Sequence, residues 1–320
     1  MRITVVGCGA MGSIYAALLA SDGHTVSAVD TNEAHVSTIN ENGLRVSGAS
    51  GDRTVTIRAY TSPPADNADL LVIAVKGAHV TSAAELAKPL ISSESLILTI
   101  QNGLGSSDVV AEALGGDRLL VGVAQGFGAS LPEPGHAHHN DMKAIRMGAY
   151  GTLGADDVKR VADTFKNAGF DAGPVANIRA MQWGKLICNV AYSAPAALTG
   201  MTVGEIMDDP VVGEISRNAA TEAWQVAKAL EVGIDIDDPV QYVRDFASRM
   251  PAAKPSVLLD IEAGRFSEVG MINGAVPREA EKAGMTAPVN DTLTRLVQSL
   301  ERRTLKRGEN NGFTGSTEKR

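Results

Sequence analysis

Apolar residues follow two different rhythms along this chain. In the first half they gather into short continuous runs, Ile3–Val6, Thr25–Val29, Leu70–Val75, Leu96–Ile100 and Leu119–Val123, each closed by glycine or polar residues. Such runs of Val, Ile and Leu suit strands buried on both faces. Between them the composition turns helical, over Ala10–Ala20 and over Glu33–Asn42, which Gly43 ends. Strands alternating with helices predict a parallel, doubly wound sheet. Leu44–Val46 and Val55–Ile57, with Gly48 and Gly51 between them, predict an inserted β-hairpin. The glycine-rich run Gln125-Gly126-Phe127-Gly128 follows the fifth strand, and beyond Pro134 the pattern changes. Lys143–Tyr150 is expected to form antiparallel edge strands, Asp156–Ala168 a helix and Asp171–Val175 a last strand.

From about Ile178 strand-like runs stop and helical periodicity takes over. Met181–Ala197 is expected to be one helix broken near Pro195. Helices over Val211–Glu231, Pro239–Arg249, Ser256–Ala263, Ile272–Ala283 and Val289–Leu305 follow. The expected division is an α/β domain over 1–176, an all-helical domain over 177–305 and a disordered tail over 306–320.

The first strand and helix enclose the spacing G-x-G-x-x-G at Gly7, Gly9 and Gly12. A glycine triplet alone is weak, but a strand before it and a helix after it make a dinucleotide-binding βαβ unit, the Rossmann-type plan. Gly7 allows the tight turn, Gly9 lets backbone approach a diphosphate, and Gly12 lets helix and strand pack closely. The diphosphate would rest on the helix N-terminus, which makes Gly7, Gly9, Ala10, Met11 and Gly12 the candidate cofactor loop. Asp30 ends the second strand, where a carboxylate accepts from both ribose hydroxyls and repels a 2′-phosphate. Thr31-Asn32-Glu33 supply no cation, so NAD(H) is favoured over NADP(H). The plain alternative is that this aspartate only caps the helix that follows.

Composition narrows the partners. At 320 residues, 44% apolar and with mean hydropathy near zero, the chain suits a globular protein of two domains. No apolar run is long enough to span a bilayer, and no signal peptide is expected, since the first apolar run is a strand that breaks at glycines. The two cysteines, Cys8 and Cys188, show no disulfide or metal pattern, so a reducing cytoplasm is expected. A net charge of −8 without a basic stripe argues against nucleic acid, and an anionic small molecule remains open. His136, His138 and His139 have no second cluster to complete a metal site, and strand alternation separates the last two.

Several polar residues stand in apolar or turn settings. Lys185 and Asn189 share one face of a largely apolar helix. A lysine so placed loses basicity toward the range useful for proton transfer, or else snorkels to the helix edge. Glu268 precedes a helix, where it suits either a site or a helix start. Ser256 follows Pro255, one turn before Asp260, and reads equally as a cap. Asn102 and Lys76 each end a parallel strand directly before a glycine, at the edge where such sheets bind ligands. A turn asparagine is the plain alternative at Asn102.

Together the motifs G-C-G-A-M-G, V-K-G at 75–77, Q-N-G at 101–103, K-L-I-C-N at 185–189 and P-S-V-L-L-D-I-E-A-G-R-F-S-E-V-G-M-I-N-G at 255–274 resemble the ketopantoate reductase family over essentially residues 1–300. The resemblance implies a Rossmann domain followed by an all-helical domain, with the active site in the cleft between them. It implies nicotinamide-dependent reduction of a 2-oxo acid to a 2-hydroxy acid, as in the 2-dehydropantoate 2-reductase step of pantothenate biosynthesis. By motif, Lys185 would be the general acid and Glu268 would hold a substrate hydroxyl beside the cofactor. Asn102, Asn189 and Ser256 would bind substrate polar groups, and Lys76, with Asn102, would lie near the nicotinamide end of the cofactor. Such a protein has a small-molecule 2-oxo or 2-hydroxy acid as partner and no membrane; a homodimer stays open.

The chain departs from the family pattern at four places: S-A-P-A-A-L over Ser193–Leu198, Val203 for an asparagine, Asp30 for a basic residue, and H-N-D-M-K over His139–Lys143. Lost asparagines shift specificity, so reductase chemistry is expected more firmly than ketopantoate as substrate. The alternatives are a catabolic NAD-dependent 2-hydroxy acid or alcohol dehydrogenase, and a non-catalytic nicotinamide-binding regulator. An opine-type dehydrogenase would need a histidine in the helical domain, and none occurs after His139.

Overall fold

The structure, a computed structural model, describes residues 1–126, 128–141 and 144–312, with side chains described as far as Thr304. It divides into two compact units, Met1–Gln101 with Gly105–Ile178, and Asn102–Leu104 with Arg179–Arg320. The divide expected after residue 176 thus falls after Ile178, and three residues from the middle of the first half group with the second.

In the first unit, β1 (Arg2–Val6), α1 (Ala10–Ser21), β2 (Thr25–Val29) and α2 (Glu33–Asn42) occupy the spans their pattern predicts. The unit continues through β3 (Leu44–Gly48), β4 (Arg53–Val55), β5 (Arg58–Tyr60), β6 (Leu70–Ile73), α3 (Val80–Ala87), β7 (Leu96–Thr99) and α4 (Ser106–Leu114). It closes with β8 (Leu119–Ala124), β9 (Gly128–Glu133), β10 (His136–Asp141), β11 (Ala144–Ala149), α5 (Ala155–Asn167) and β12 (Asp171–Pro174). The main sheet has the order β12-β11-β8-β7-β6-β1-β2-β5. From β8 through β5 its strands are parallel, while β11 runs antiparallel to β8 and carries β12 parallel beside it. Alternate residues of each strand feed opposite faces: Ile3, Val5, Leu70 and Val72 join α1 and α5, and Val6, Leu71 and Ile73 join α3 and α4. This is a doubly wound Rossmann-type sheet.

Three expectations change in detail. The inserted hairpin forms as β3 and β4, but its second strand ends at Val55. Thr56 and Ile57 lie in no strand; beyond them β5 pairs parallel with β2 on the main sheet. The hairpin also joins β10 and β9 in a second sheet of order β4-β3-β10-β9. That sheet accounts for a helix apolar all round: α1 packs between the two sheets, and every residue from Gly12 to Leu19 is buried. Finally, β11 is an interior strand with β12 at the edge; Lys143, Met142 and Phe127 lie outside the described residues.

The second unit contains α6 (Ile178–Thr199), α7 (Val203–Asp208), α8 (Val212–Ala229), α9 (Pro239–Arg249), α10 (Ser256–Glu262), α11 (Ala275–Lys282) and α12 (Pro288–Gly312). Helix α6 supplies its core with Trp183, Leu186, Ile187, Val190, Ala191 and Ala194. Pro195 does not break it: the helix runs on to Thr199, whose hydroxyl donates to the Pro195 carbonyl at 2.8 Å. The tail expected from Lys306 begins within α12, which extends to Gly312; 313–320 lie outside the described residues. No helix among the described residues is long and apolar enough to cross a membrane.

Phe165 of α5 is fully buried, with ring centroids 6.0 Å from Tyr15 of α1 and 5.4 Å from Phe170. Replacing it with alanine removes the ring that holds α5 on the sheet, a loss of about 3–5 kcal/mol for a buried Phe. A marked fall in the urea midpoint of the first unit is expected, read by far-ultraviolet circular dichroism.

Candidate active site

Beyond β7 the chain reaches the carboxyl edge of the sheet, where Gln101 fixes its course. The Gln101 amide donates to the carbonyls of Ile73 at 2.7 Å and Val75 at 3.1 Å, which ties the exits of β6 and β7 together. Asn102, Gly103 and Leu104 then build into the helical unit. Leu104 is 8% exposed within its core, and its N–H donates to the Met271 carbonyl at 2.9 Å. Gly103 has φ +80°, and a Cβ there would lie 1.9 Å from the Met271 oxygen, so only glycine fits. On the other side a turn carries Glu268, whose carbonyl accepts from the N–H groups of Met271 and Ile272 at 2.9 and 3.0 Å. Buried Val269 and Ile272 anchor it. The helix expected from Ile272 begins instead at Ala275, because Glu268–Gly274 close as turns.

Arg278 braces both pieces. Its guanidinium donates to the carbonyls of Gly270 at 2.6 Å, Gly274 at 2.9 Å and Leu104 at 3.3 Å. Arg278 did not stand out in the sequence and Gln101 did so only within the Q-N-G run, since each acts on backbone carbonyls that no side-chain motif reveals.

Between these pieces lies a three-residue chain. Lys185 Nζ donates to Asn102 Oδ1 at 2.7 Å, and Asn102 Nδ2 donates to Glu268 Oε2 at 3.1 Å. Only one amide orientation satisfies both neighbours, oxygen toward the ammonium and nitrogen toward the carboxylate. Lys185 rises from α6 beside buried Trp183, Leu186 and Ile187. The residue as a whole is partly exposed, but burial of its ammonium end lowers the pKa to about 8, with the Glu268 charge acting the other way. An ammonium at that balance holds a proton at neutral pH and can release it.

The other candidates are outside this three-residue chain. Asn189 is partly buried one turn along α6 from Lys185, and Ser256 opens α10 exposed to solvent. Asp260 is buried and pairs with Arg265 at 3.0 Å, which gives that helix a structural anchor. In the first unit, exposed Lys76 precedes a 3₁₀ turn at Gly77–His79. Asp30 accepts from the Asn32 N–H at 2.9 Å while Asn32 caps α2. Among the described residues no group of three or more His, Cys, Asp or Glu could hold a metal.

The glycine loop separates the reasons for its three glycines. Gly7 has φ +90° with Val75 nitrogen 2.6 Å from a built Cβ, and a Cβ on Gly12 would sit 1.9 Å from the Gly7 carbonyl. Both are required by the protein itself. Gly9 has an ordinary extended conformation, and nothing lies within 4 Å of a Cβ placed on it. The helix that follows has no side-chain cap and no acidic residue in its first turn. Open space beside uncapped N–H groups is what a diphosphate needs, so these residues fit a dinucleotide.

Two family models match the chain, "Ketopantoate reductase PanE/ApbA" over residues 3–152 and "Ketopantoate reductase PanE/ApbA C terminal" over 177–301. The chain belongs to the ketopantoate reductase family. It is a nicotinamide-dinucleotide-dependent oxidoreductase acting on CH–OH groups. Among its relatives, the 2-dehydropantoate 2-reductase of Halobacterium salinarum is 32% identical over 306 residues, covering 94% of this chain and 99% of that protein. The enzyme of the same name from Pyrococcus horikoshii is 30% identical, covering 94% and 98%. The crystal structure of a PanE/ApbA family ketopantoate reductase from Ralstonia eutropha superposes with a TM-score of 0.85 at 29% identity, covering 95% and 99%. The fold is shared as well by D-mandelate dehydrogenase, solved with NADH and anilino(oxo)acetate, at TM-score 0.87 and 22% identity over 95% and 99% of the two chains.

The trio makes an electrostatic prediction independent of turnover. Lys185 should titrate near pH 8, well below an ordinary lysine. Glu268→Gln removes the charge that raises this value and should lower it further. The pH dependence of Lys185 modification by an amine-reactive reagent, read by mass spectrometry, measures both; an unchanged or higher value in the variant contradicts the geometry.

Proposed function

We propose that this protein reduces a 2-oxo acid to the corresponding 2-hydroxy acid, with Lys185 as proton donor and NADH preferred to NADPH. The observation that carries the reading is the Lys185–Asn102–Glu268 chain, with an ammonium poised near pKa 8. Bound in its reduced form, the nicotinamide supplies the hydride that reaches the carbonyl carbon. Lys185 then serves the oxygen: as the C=O electrons move onto it, Nζ stabilises the growing charge and transfers a proton to make the hydroxyl. Stabilisation that strengthens as charge develops lowers the barrier rather than merely binding the substrate. Asn102 holds Nζ in place through its amide oxygen, and Glu268 holds Asn102 and accepts from a substrate hydroxyl. Asn189 and Ser256 are assigned to substrate polar groups, and the glycine loop with Lys76 to the cofactor.

Cofactor choice rests on Asp30. A fixed carboxylate followed by Thr31, Asn32 and Glu33 favours free ribose hydroxyls and repels a 2′-phosphate. Substrate choice is marked by Val203, which is 2% exposed in the helical core and presents no polar group where the family pattern has an asparagine. A 2-oxo acid that needs no hydrogen bond there fits best, with 2-dehydropantoate as the reference compound.

A screen of 2-oxo acids with each cofactor, following nicotinamide absorbance, tests the activity. With the best substrate, Lys185→Ala should lower kcat about 10²–10⁴-fold, the span of general acid catalysis; a loss below about threefold would place the proton donor elsewhere. NADH should exceed NADPH in kcat/KM, and Asp30→Ala should narrow the gap. Equal or better use of NADPH by the parent protein sinks the cofactor assignment.

A further inference from the structure

A buried hydrogen-bonded relay lies behind the glycine loop. His35 of α2 and Ser13 of α1 are both fully buried. The Gly135 N–H, in the turn between β9 and β10, donates to His35 Nδ1 at 2.8 Å. Nδ1 is therefore the acceptor, and the neutral ring carries its proton on Nε2. Nε2 donates to Ser13 Oγ at 3.2 Å, and the Ser13 hydroxyl donates to the Cys8 carbonyl at 2.8 Å. All three bonds point the same way, toward the loop, and each polarises the next. Burial holds His35 below the usual imidazole range against the opposing pull of Asp30 and the Cys8 carbonyl. The Cys8 thiol, 3.4 Å from Ser13 Oγ, is pushed up to about 12 by burial and stays uncharged.

The far end of the relay decides which way a peptide faces. In a trans peptide the carbonyl and the next N–H point in opposite directions. With the Cys8 carbonyl drawn inward to Ser13, the Gly9 N–H turns outward, on the loop side where a Gly9 side chain would meet nothing. The same histidine reaches the other half of the dinucleotide site. Its backbone N–H donates to Asn32 Oδ1 at 3.2 Å, and the Asn32 N–H donates to Asp30 Oδ1 at 2.9 Å.

We propose that Ser13 and His35 are positioning residues for the dinucleotide: they orient the Cys8–Gly9 peptide so that its N–H meets the diphosphate, and they tie that loop to the turn bearing Asp30. The inference rests on the glycine loop being the cofactor site. It predicts an effect confined to the phosphate-bearing part of the ligand, which a general loss of stability would not produce.

Calorimetric binding of NADH, ADP and adenosine to the full-length protein tests it. Ser13→Ala removes the hydroxyl that accepts from His35 Nε2 and donates to the Cys8 carbonyl, and should weaken NADH and ADP about tenfold, with adenosine within about twofold. The cofactor KM should rise more than kcat falls, and Ser13→Thr, which keeps the hydroxyl, should recover most of the loss. His35→Gln should act in the same direction, and the double variant should bind no worse than the weaker single one, because both act on one carbonyl. Gly9→Val, at a position where nothing lies within 4 Å of a built Cβ, separates this inference from its premise. If Gly9→Val abolishes ADP binding while Ser13→Ala binds ADP like the parent, or weakens ADP and adenosine equally, the relay has no positioning role. If Gly9→Val binds ADP like the parent, the loop is not the cofactor site and the inference falls with it.

Discussion

An ammonium withdrawn from water and held one amide away from a carboxylate is the constraint around which the helical unit is arranged. A buried charge without partners costs several kcal/mol, so it either finds neighbours or gives up its proton. Lys185 stands between these outcomes. Burial moves its pKa down to about 8, and the Glu268 charge keeps it from falling further. Asn102 supplies the contact that makes the balance possible, accepting from Nζ and donating to Glu268. An amide in that position has to be held, and much of the surrounding structure does the holding. Gly103 takes a left-handed conformation against the Met271 carbonyl, Leu104 is sunk in the core, and Arg278 grips the carbonyls on both sides. An ammonium, an amide and a carboxylate linked in this way, with the ammonium's basicity lowered, point to chemistry.

On the proposed reading the first unit has a different task, presenting backbone N–H groups to a diphosphate. Its central helix, α1, is buried between two sheets and cannot shift, so the loop before it is rigid from below. Gly7 and Gly12 are dictated by that packing, and Gly9 by none of it. Ser13 and His35 draw their geometry from the same burial, since a hydroxyl and an imidazole enclosed in an apolar layer must satisfy each other or the backbone.

What could be read from the sequence follows from the range of the forces involved. Runs such as Leu70–Ile73 and the spacing of Gly7, Gly9 and Gly12 carry local signals, and they lead directly to the doubly wound sheet. Lys185 stood out because a charge in an apolar helix is anomalous within a few residues of itself. Asn102 and Glu268 were candidates as well, but their pairing with it was not legible: joining Asn102 to Glu268 requires a fold that brings together positions far apart in the chain. The second sheet was hidden for the same reason, since the pairing of β3 with β10 is parallel and remote. Pro195 misled in the opposite direction. A proline removes one N–H, but the core contacts of Ala194, Ala196 and Ala197 keep α6 helical past it. Arg278, Gln101, Ser13 and His35 all work through backbone atoms or buried neighbours, and no spacing in the chain announces such contacts.

The central claim is that Lys185 exchanges a proton with the substrate oxygen, and kcat/KM measured against pH in both directions tests it most directly. The acid form of Lys185 is needed to reduce the carbonyl and the free amine to oxidise the alcohol. With its pKa near 8, the rate of 2-oxo acid reduction should be level below that pH and fall above it, while the rate of 2-hydroxy acid oxidation should rise through the same value. Profiles that bend in the same direction for both reactions, or that stay flat across this range, would contradict the assignment.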